Sequence, residues 1–163
     1  MLSQSSIVIR DAFNLIIHMG KDTVQLTEPI VRLFQGKNFA FVSTLMKDGS
    51  PQITPTWVDI EKNNEYSILV NTAEGRIKHK NLSRDPRLAI SVINGSNPYE
   101  MVTIQGKVTE QITRDTAEEH IDKLAKKYLG LDKYPGRSPG EKRVILKIKP
   151  ERIFYHDFQP PIK

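Results

Sequence analysis

The residues best suited to chemistry lie in the stretch from Asn71 to Ile90. Between Arg76 and Arg87, five basic side chains stand against a single acid, Asp85. Arginine offers a planar fork of donors and lysine a mobile point charge, so Arg76 with Lys78 could orient and neutralise a phosphate or phosphodiester. A solvated basic surface is the alternative interpretation of the same residues.

The spacing within this stretch predicts a short cationic helical turn. Arg76, Lys80 and Arg84 recur every four residues, which places them on one side of a helix. Ile77 and Leu82 are expected to anchor the turn to a core. The preceding segment EYSILVNT predicts a strand ending at the turn, and Pro86 prevents the helix from continuing.

Patterns typical of β-strands dominate the rest of the chain. Asp48-Gly49 is a hairpin turn, Gly106 within a strand indicates a bulge or a close backbone approach, and Pro150 leaves open whether the last segment is one strand or two. The predicted strands are FAFVSTLM, PQITPTWVDI, EYSILVNT, RLAISVI, YEMVTIQGKVTEQI, and RVILKIKP with ERIFYHDF. Short antiparallel strands with few helices predict a mainly β fold, a small barrel.

Two helices are predicted within a domain spanning residues 27–163. One follows the N-cap Thr27 and ends at Gly36; the other follows Thr113 and ends at Gly130. On the second helix, His120 and the acidic and basic residues are expected to face solvent. Residues 1–26 are an N-terminal extension of unknown role, with a possible helix or arm over 7–19.

The sequence lacks the residues that several kinds of chemistry require. The chain has no cysteine, its four histidines form no pair at metal-ligand spacing, and GxSxG, GxxxxGK[ST] and GxGxxG motifs are absent. A reaction would therefore belong to a bound organic redox cofactor. We expect a cytoplasmic protein without a membrane segment, and a net charge of +5 with 7% aromatic residues gives little support for nucleic-acid binding.

Three segments resemble one known family. FAFVSTLMKDGSPQITPTWVDI, NTAEGRIKHKNLSRDPRLAISV and YEMVTIQGKVTEQ are similar to the FMN-binding split β-barrel proteins related to pyridoxamine 5′-phosphate oxidase, and within them to the branch using the deazaflavin coenzyme F420. The resemblance implies a homodimer of six-stranded antiparallel split barrels with Greek-key character and a few flanking helices, holding a cofactor in each of two interface grooves.

The resemblance also implies the site residues. Arg76 and Lys78 match the residues that hold the cofactor phosphate. Other implied cofactor-binding residues are Asn81 and Lys80 in the basic turn, Thr54, Pro55, Thr56 and Trp57 beside the ring, and Val70, Asn71 and Thr72 on the neighbouring strand. Trp57 could instead be a core or dimer-interface aromatic, and the threonines plain β-formers. Lys80, Arg84, Lys133 and Arg137 are expected to attract the acidic tail of F420.

The expected activity is hydride transfer from F420 to a small unsaturated or quinone-like acceptor. The alternatives are an FMN-binding, pyridoxamine 5′-phosphate oxidase-like protein and a cofactor carrier without its own substrate. The chain ends in HDFQPPIK rather than in the arginine-rich motif of the vitamin oxidases, which argues against pyridoxamine phosphate as substrate. No catalytic side chain and no metal ligand is assigned.

Overall fold

The computed structural model describes residues 24–158, so the pattern over residues 7–19 lies outside the described part of the chain. Three helices and seven strands follow one another, with the strands dominating as expected. In chain order the elements are α1 (Glu28–Gln35), β1 (Ala40–Leu45), β2 (Pro51–Thr56), β3 (Asp59–Lys62), β4 (Tyr66–Ala73), α2 (Ile77–Arg84), β5 (Arg87–Ile93), β6 (Glu100–Ile112), α3 (Asp115–Leu129) and β7 (Arg143–Asp157).

All strands belong to one antiparallel sheet in the order β2-β1-β5-β6-β7-β4-β3. Strand residues alternate between a buried and an exposed side, as in β5, where Leu88, Ile90 and Val92 point inward. Buried residues from β1, β5 and β6 share one core with those of β4 and β7. The sheet therefore curves around one main core, and a smaller apolar cluster lies between its other side and α3.

The prediction of a six-stranded barrel was wrong in strand count and in closure. The segment PQITPTWVDI forms two strands, because β2 pairs with β1 whereas β3 pairs with β4 at the other end of the sheet. Trp57 and Val58 make the crossing between them. The result is a seven-stranded sheet whose edges, β2 and β3, do not pair with each other.

The prediction for Gly106 is confirmed. The β6–β7 pairing shifts register between Gln105 and Gly106, and Gly106 lies opposite Pro150. A Cβ atom on Gly106 would come within 2.5 Å of the carbonyl oxygen of Lys149. This close approach explains the glycine, and Pro150 interrupts neither β7 nor its pairing.

Two expectations about helix faces were wrong. His120 and Asp122, expected in solvent, are 7% and 9% exposed, because β3 and the segment after α3 cover that side of the helix. Ile77, expected to anchor the basic turn, is 53% exposed. Leu82 packs into the core as predicted, with 3% exposure.

Candidate functional site

Arg76, Lys78 and Arg143 come together where the chain leaves β4 for α2. Ala73, the last residue of β4, pairs with Arg143, the first residue of β7. A short turn leads to Arg76, with Gly75 at a φ of 79° that favours glycine. Both arginines lie near enough to Lys78 to lower its pKa by charge repulsion. We call Arg76, Lys78 and Arg143 the cation cluster.

Lys78 is a buried base without a counter-ion. The residue is 7% exposed, and within residues 24–158 it forms no hydrogen bond or ion pair. Burial, followed by repulsion from Arg76 and Arg143, lowers the pKa of Lys78 to about 8. Because burial disfavours the charged form of a lysine, an anion bound beside Lys78 would stabilise its ammonium.

Glu141 is the carboxylate that contacts the cation cluster. One of its oxygens accepts a hydrogen bond from Arg76 at 2.7 Å and the other accepts one from Arg143 at 2.6 Å. Partial burial by itself raises the pKa of Glu141, but the bonds from Arg143 and Arg76 keep that pKa below its ordinary value. One carboxylate thus bridges two guanidinium groups and leaves Lys78 unpaired.

The three implied residues of β4 differ in their surroundings. Val70 is buried in the main core. Among residues 24–158, the buried hydroxyl of Thr72 has no hydrogen-bond partner. The amide of Asn71 is fully engaged: its Nδ2 donates to the carbonyl of Ala117 at 2.8 Å, and its Oδ1 accepts from Arg143 at 2.8 Å. Thr72 is fully buried on the same side of the sheet as Val70, whereas Asn71 and Arg143 lie on the other side.

Asn71 continues into a buried network that the sequence did not indicate. Its Nδ2 also lies 3.2 Å from Nδ1 of His120, and Nε2 of His120 lies 3.4 Å from a carboxylate oxygen of Asp59. Burial alone raises the pKa of Asp59, yet the nearby imidazole of His120 and the hydrogen bond from Lys123 hold that pKa far below the usual range. The network joins β3, β4 and α3 behind the cation cluster.

Asn81 fastens α2 to the sheet. Its Nδ2 donates to the hydroxyl of Thr44 at 3.0 Å, and its Oδ1 accepts from Arg84 at 3.4 Å. Arg84 also donates to the carbonyl of Leu45. Lys80 is exposed and makes no ion pair in the described part of the chain. Among these residues, Lys80 therefore has a charge that is available to an acidic group of a ligand.

The implied ring-binding residues lie on edge strand β2 and just after it. Thr54 is paired with Val42 and Thr56 with Ala40, so both threonines share the inward side of the sheet. Pro55 is paired with Phe41 and faces the opposite side. Trp57 stacks on Tyr128, with ring centroids 5.2 Å apart and an interplanar angle of 4°.

Lys133 and Arg137 are engaged with acids on α3. Lys133 donates to Asp122 at 2.9 Å, and Arg137 donates to the other oxygen of Asp122 at 2.7 Å and bonds to Glu118. Their charges are therefore largely neutralised within the molecule. The expectation that both serve an acidic tail finds no support in these contacts.

Sequence reasoning missed Arg143 and Glu141. Arg143 begins a segment that is otherwise a plain strand pattern, and Glu141 lies in a loop rich in glycine and proline. Only the pairing of β4 with β7 brings them beside Arg76. No local signal in the sequence could have identified them.

The outward side of β1, β5, β6 and β7 carries large apolar residues. Phe41 pairs with Ser91, Ser91 with Thr103, and Thr103 with Phe154, so two aromatic rings flank a row of small hydroxyls. Ile53 and Ile93 extend this surface, which we call the apolar sheet face. A groove of about 640 Å³ continues it, lined in part by Ser43, Ala89, Gln105 and Arg152.

Two further kinds of feature are absent from residues 24–158. No helix there has the length and apolarity needed to cross a bilayer. The same residues bring together no group of three His, Asp or Glu side chains able to hold a metal ion.

Comparison with known proteins agrees with the fold described above. The family model for pyridoxamine 5′-phosphate oxidase matches residues 26–157. A structure described as an F420 reductase is 24% identical, with a TM-score of 0.65, covering 79% of this chain and 98% of the other. A conserved hypothetical protein from Mycobacterium tuberculosis is 20% identical, with a TM-score of 0.64 and coverages of 85% and 88%.

General Stress Protein 26 from Bacillus anthracis is 17% identical, with a TM-score of 0.57 and coverages of 81% and 94%. At these identities the structural matches establish the fold, while the family model spans nearly the whole described part of the chain. The chain therefore belongs to the pyridoxamine 5′-phosphate oxidase family and has the fold of its flavin-binding oxidoreductases.

Proposed function

We propose that the protein is an oxidoreductase that binds the deazaflavin coenzyme F420, with FMN as the alternative cofactor. The observation that carries the proposal is the cation cluster, in which Lys78 is buried without a counter-ion. The fold shared with an F420 reductase supports the deazaflavin. The family description supports a flavin phosphate.

The cation cluster fits a phosphate group. Arg76 can present its fork of donors and Lys78 a point charge. The first backbone N–H groups of α2, which begins at Ile77, have no acceptor within the helix. Together these groups supply positive charge and directed donors to one anion.

Residues of β2 are proposed to border the ring. Thr54 and Thr56 share the inward side of the sheet with Thr44, which accepts a bond from Asn81 in α2. Threonine hydroxyls suit the polar edge of a tricyclic ring. Trp57 is proposed to shape this region through its stack on Tyr128.

When bound, such a cofactor supplies the hydride chemistry for a small unsaturated or quinone-like acceptor. The protein itself binds and orients the cofactor. Asn81 holds α2 against β1, and Asn71 holds Arg143 in place from behind. Both act as positioning residues that keep the donors aimed at one point.

A second copy of the chain is proposed to cover the apolar sheet face. Ile53 is 62% exposed and Phe154 41% exposed, and the hydroxyls between the aromatic residues are too small to shield them. Contiguous apolar surface of this kind marks an interaction site. Because the surface is a sheet face without a large charge at its centre, an identical face suits it.

The experiment is a titration of the purified protein with F420, FMN and riboflavin, followed by absorbance and fluorescence. Riboflavin carries the ring without a phosphate, so it should bind least. We expect F420 to bind most tightly. Tighter binding of FMN would favour the alternative cofactor, and failure of both phosphorylated compounds to bind would refute the proposal. Chemically reduced cofactor that binds but transfers no hydride to a quinone would indicate a carrier.

A further inference from the structure

Glu141 places a negative charge inside the site proposed for a phosphate. It lies 2.7 Å from the guanidinium of Arg76 and 2.6 Å from that of Arg143. A ligand phosphate that approaches Arg76 must therefore also approach this carboxylate. Lys78 is the one member of the cation cluster that Glu141 does not contact within the described residues.

The carboxylate is held mainly from its buried side. Arg143 is 4% exposed, and its Nε donates to Asn71 at 2.8 Å while its backbone N–H donates to Glu118 at 3.2 Å. The side chain of Arg76 is 48% exposed. Arg76 can therefore turn toward a ligand while Glu141 stays on Arg143. The negative charge of Glu141 remains beside the bound anion.

We propose that Glu141 is a specificity-determining residue that disfavours a phosphate with two negative charges and so favours a phosphodiester with one. The inference rests on the proposed function, that the cation cluster holds the cofactor phosphate. Coulomb repulsion scales with the product of the charges. A phosphomonoester carries about −1.5 to −2 at pH 7, so Glu141 repels it roughly twice as strongly as a phosphodiester.

The two candidate cofactors differ in this respect. FMN ends in a phosphomonoester, whereas F420 carries its tail through a phosphodiester. Glu141 therefore favours F420 over FMN through the charge of the phosphate group. This selection is separate from any attraction between Lys80 and the tail.

The test compares the parent with Glu141→Gln, using three ligands with the same ring: riboflavin, FMN and the methyl phosphodiester of FMN. At about pH 7, the affinity for FMN should rise about tenfold and that for the methyl ester about threefold, with riboflavin unchanged. Glu141→Ala should show the same ratio and serves as a second substitution. Fluorescence titration gives each affinity.

The matched control is Glu74→Gln. Glu74 lies on the same turn, two residues before Arg76, and is exposed without an ion pair among residues 24–158. It should leave all three affinities unchanged. Glu141→Asp keeps the charge and should keep the parent ratio of FMN to methyl ester.

Equal gains for FMN and its methyl ester, or no gain for either, would overturn the role of Glu141. The same gains in Glu74→Gln would also overturn it, since the effect would then be one of general charge. A parent that binds riboflavin as tightly as FMN would instead refute the phosphate site of the proposed function. The two failures are therefore distinguishable.

Discussion

At the scale of single residues, the basic side chains between Arg76 and Arg87 differ in their burial and in their partners. Lys78 is buried and has no ion-pair partner within residues 24–158, Lys80 is exposed, and Arg87 is bound through two nitrogens to Asp85. The sequence predicts the positive charge of all of them but not their burial. Burial makes Lys78 the residue whose charge depends on a ligand.

The lowered pKa of Lys78 predicts a pH-dependent affinity. In the free protein, Lys78 loses its proton as the pH rises through about 8, and binding a phosphate then requires that proton to be taken up again. The affinity for FMN should be constant near pH 7 and fall by up to about tenfold per pH unit above the pKa. Fluorescence titrations between about pH 7 and 9 measure this.

Lys78→Arg should remove the fall, because arginine stays protonated throughout this range. Lys127→Arg is the matched control, since burial also lowers the pKa of Lys127 to about 8 but its electrostatic neighbours are Asp59 and Lys123. That variant should keep the parent's pH dependence. A parent whose affinity does not change over this range would contradict the role of Lys78.

At the scale of elements, sequence pattern predicted the strands better than it predicted their partners. The Asp48-Gly49 hairpin, the helix between Thr27 and Gly36 and the special role of Gly106 are confirmed. The division of PQITPTWVDI into β2 and β3 was missed, because alternation continues through Trp57 and only pairing at opposite ends of the sheet divides the segment.

Gly106→Ala should destabilise the β6–β7 pair. The added Cβ would meet the carbonyl oxygen of Lys149 at 2.5 Å, so backbone must move. We expect a loss of about 1–3 kcal/mol in the free energy of unfolding, measured with urea. Gly95→Ala is the control, because its Cβ would meet only Asn38 at 3.5 Å. Equal stability of the two variants would show that the close approach is absent.

The side of α3 that sequence assigned to solvent gives a second prediction at this scale. Asp59 accepts a bond from Lys123 at 2.6 Å and lies beside His120, so Asp59→Asn should lower the free energy of unfolding by about 1.5–3 kcal/mol at pH 7. The folded-state pKa of Asp59 is depressed, so its contribution is present above the unfolded pKa of about 3.9 and is lost as the pH falls below it.

Urea unfolding at several pH values measures this contribution. Asp132→Asn is the control. Asp132 pairs at 2.7 Å with Lys126, which lies on α3 as Lys123 does, but the carboxylate of Asp132 is exposed. It should change stability little. An equal loss in both variants at pH 7 would argue against a special role for the buried network.

At the scale of the whole molecule, the sheet brings together residues far apart in sequence. Arg76 and Lys78 were predicted, whereas Arg143 and Glu141 reach them only through the β4–β7 pairing. The sequence around a loop glutamate contains no pattern that predicts such a contact. The site could therefore be predicted where it is local and not where it depends on topology.

The apolar sheet face predicts a homodimer that one charge can disrupt. Phe41→Lys places an ammonium on this face and should convert the dimer to a monomer in sedimentation experiments, since an unpaired charge is costly in an interface core. Leu131→Lys, at an exposed apolar residue in the loop after α3, should stay dimeric. A parent that sediments as a monomer at micromolar concentration would refute the dimer.

The most direct test of the central claim is the affinity of the double variant Arg76→Ala, Lys78→Ala for F420 and FMN. Charge-assisted hydrogen bonds are worth about 1.5–3 kcal/mol each, so binding should weaken by several kcal/mol. Thermal stability should barely change, because Lys78 makes no hydrogen bond or ion pair within residues 24–158 and Arg76 is half exposed. Lys37→Ala, at an exposed lysine outside the implied site, controls for general charge. Unchanged affinity of the folded double variant for both cofactors would contradict the claim that the cation cluster binds the cofactor phosphate.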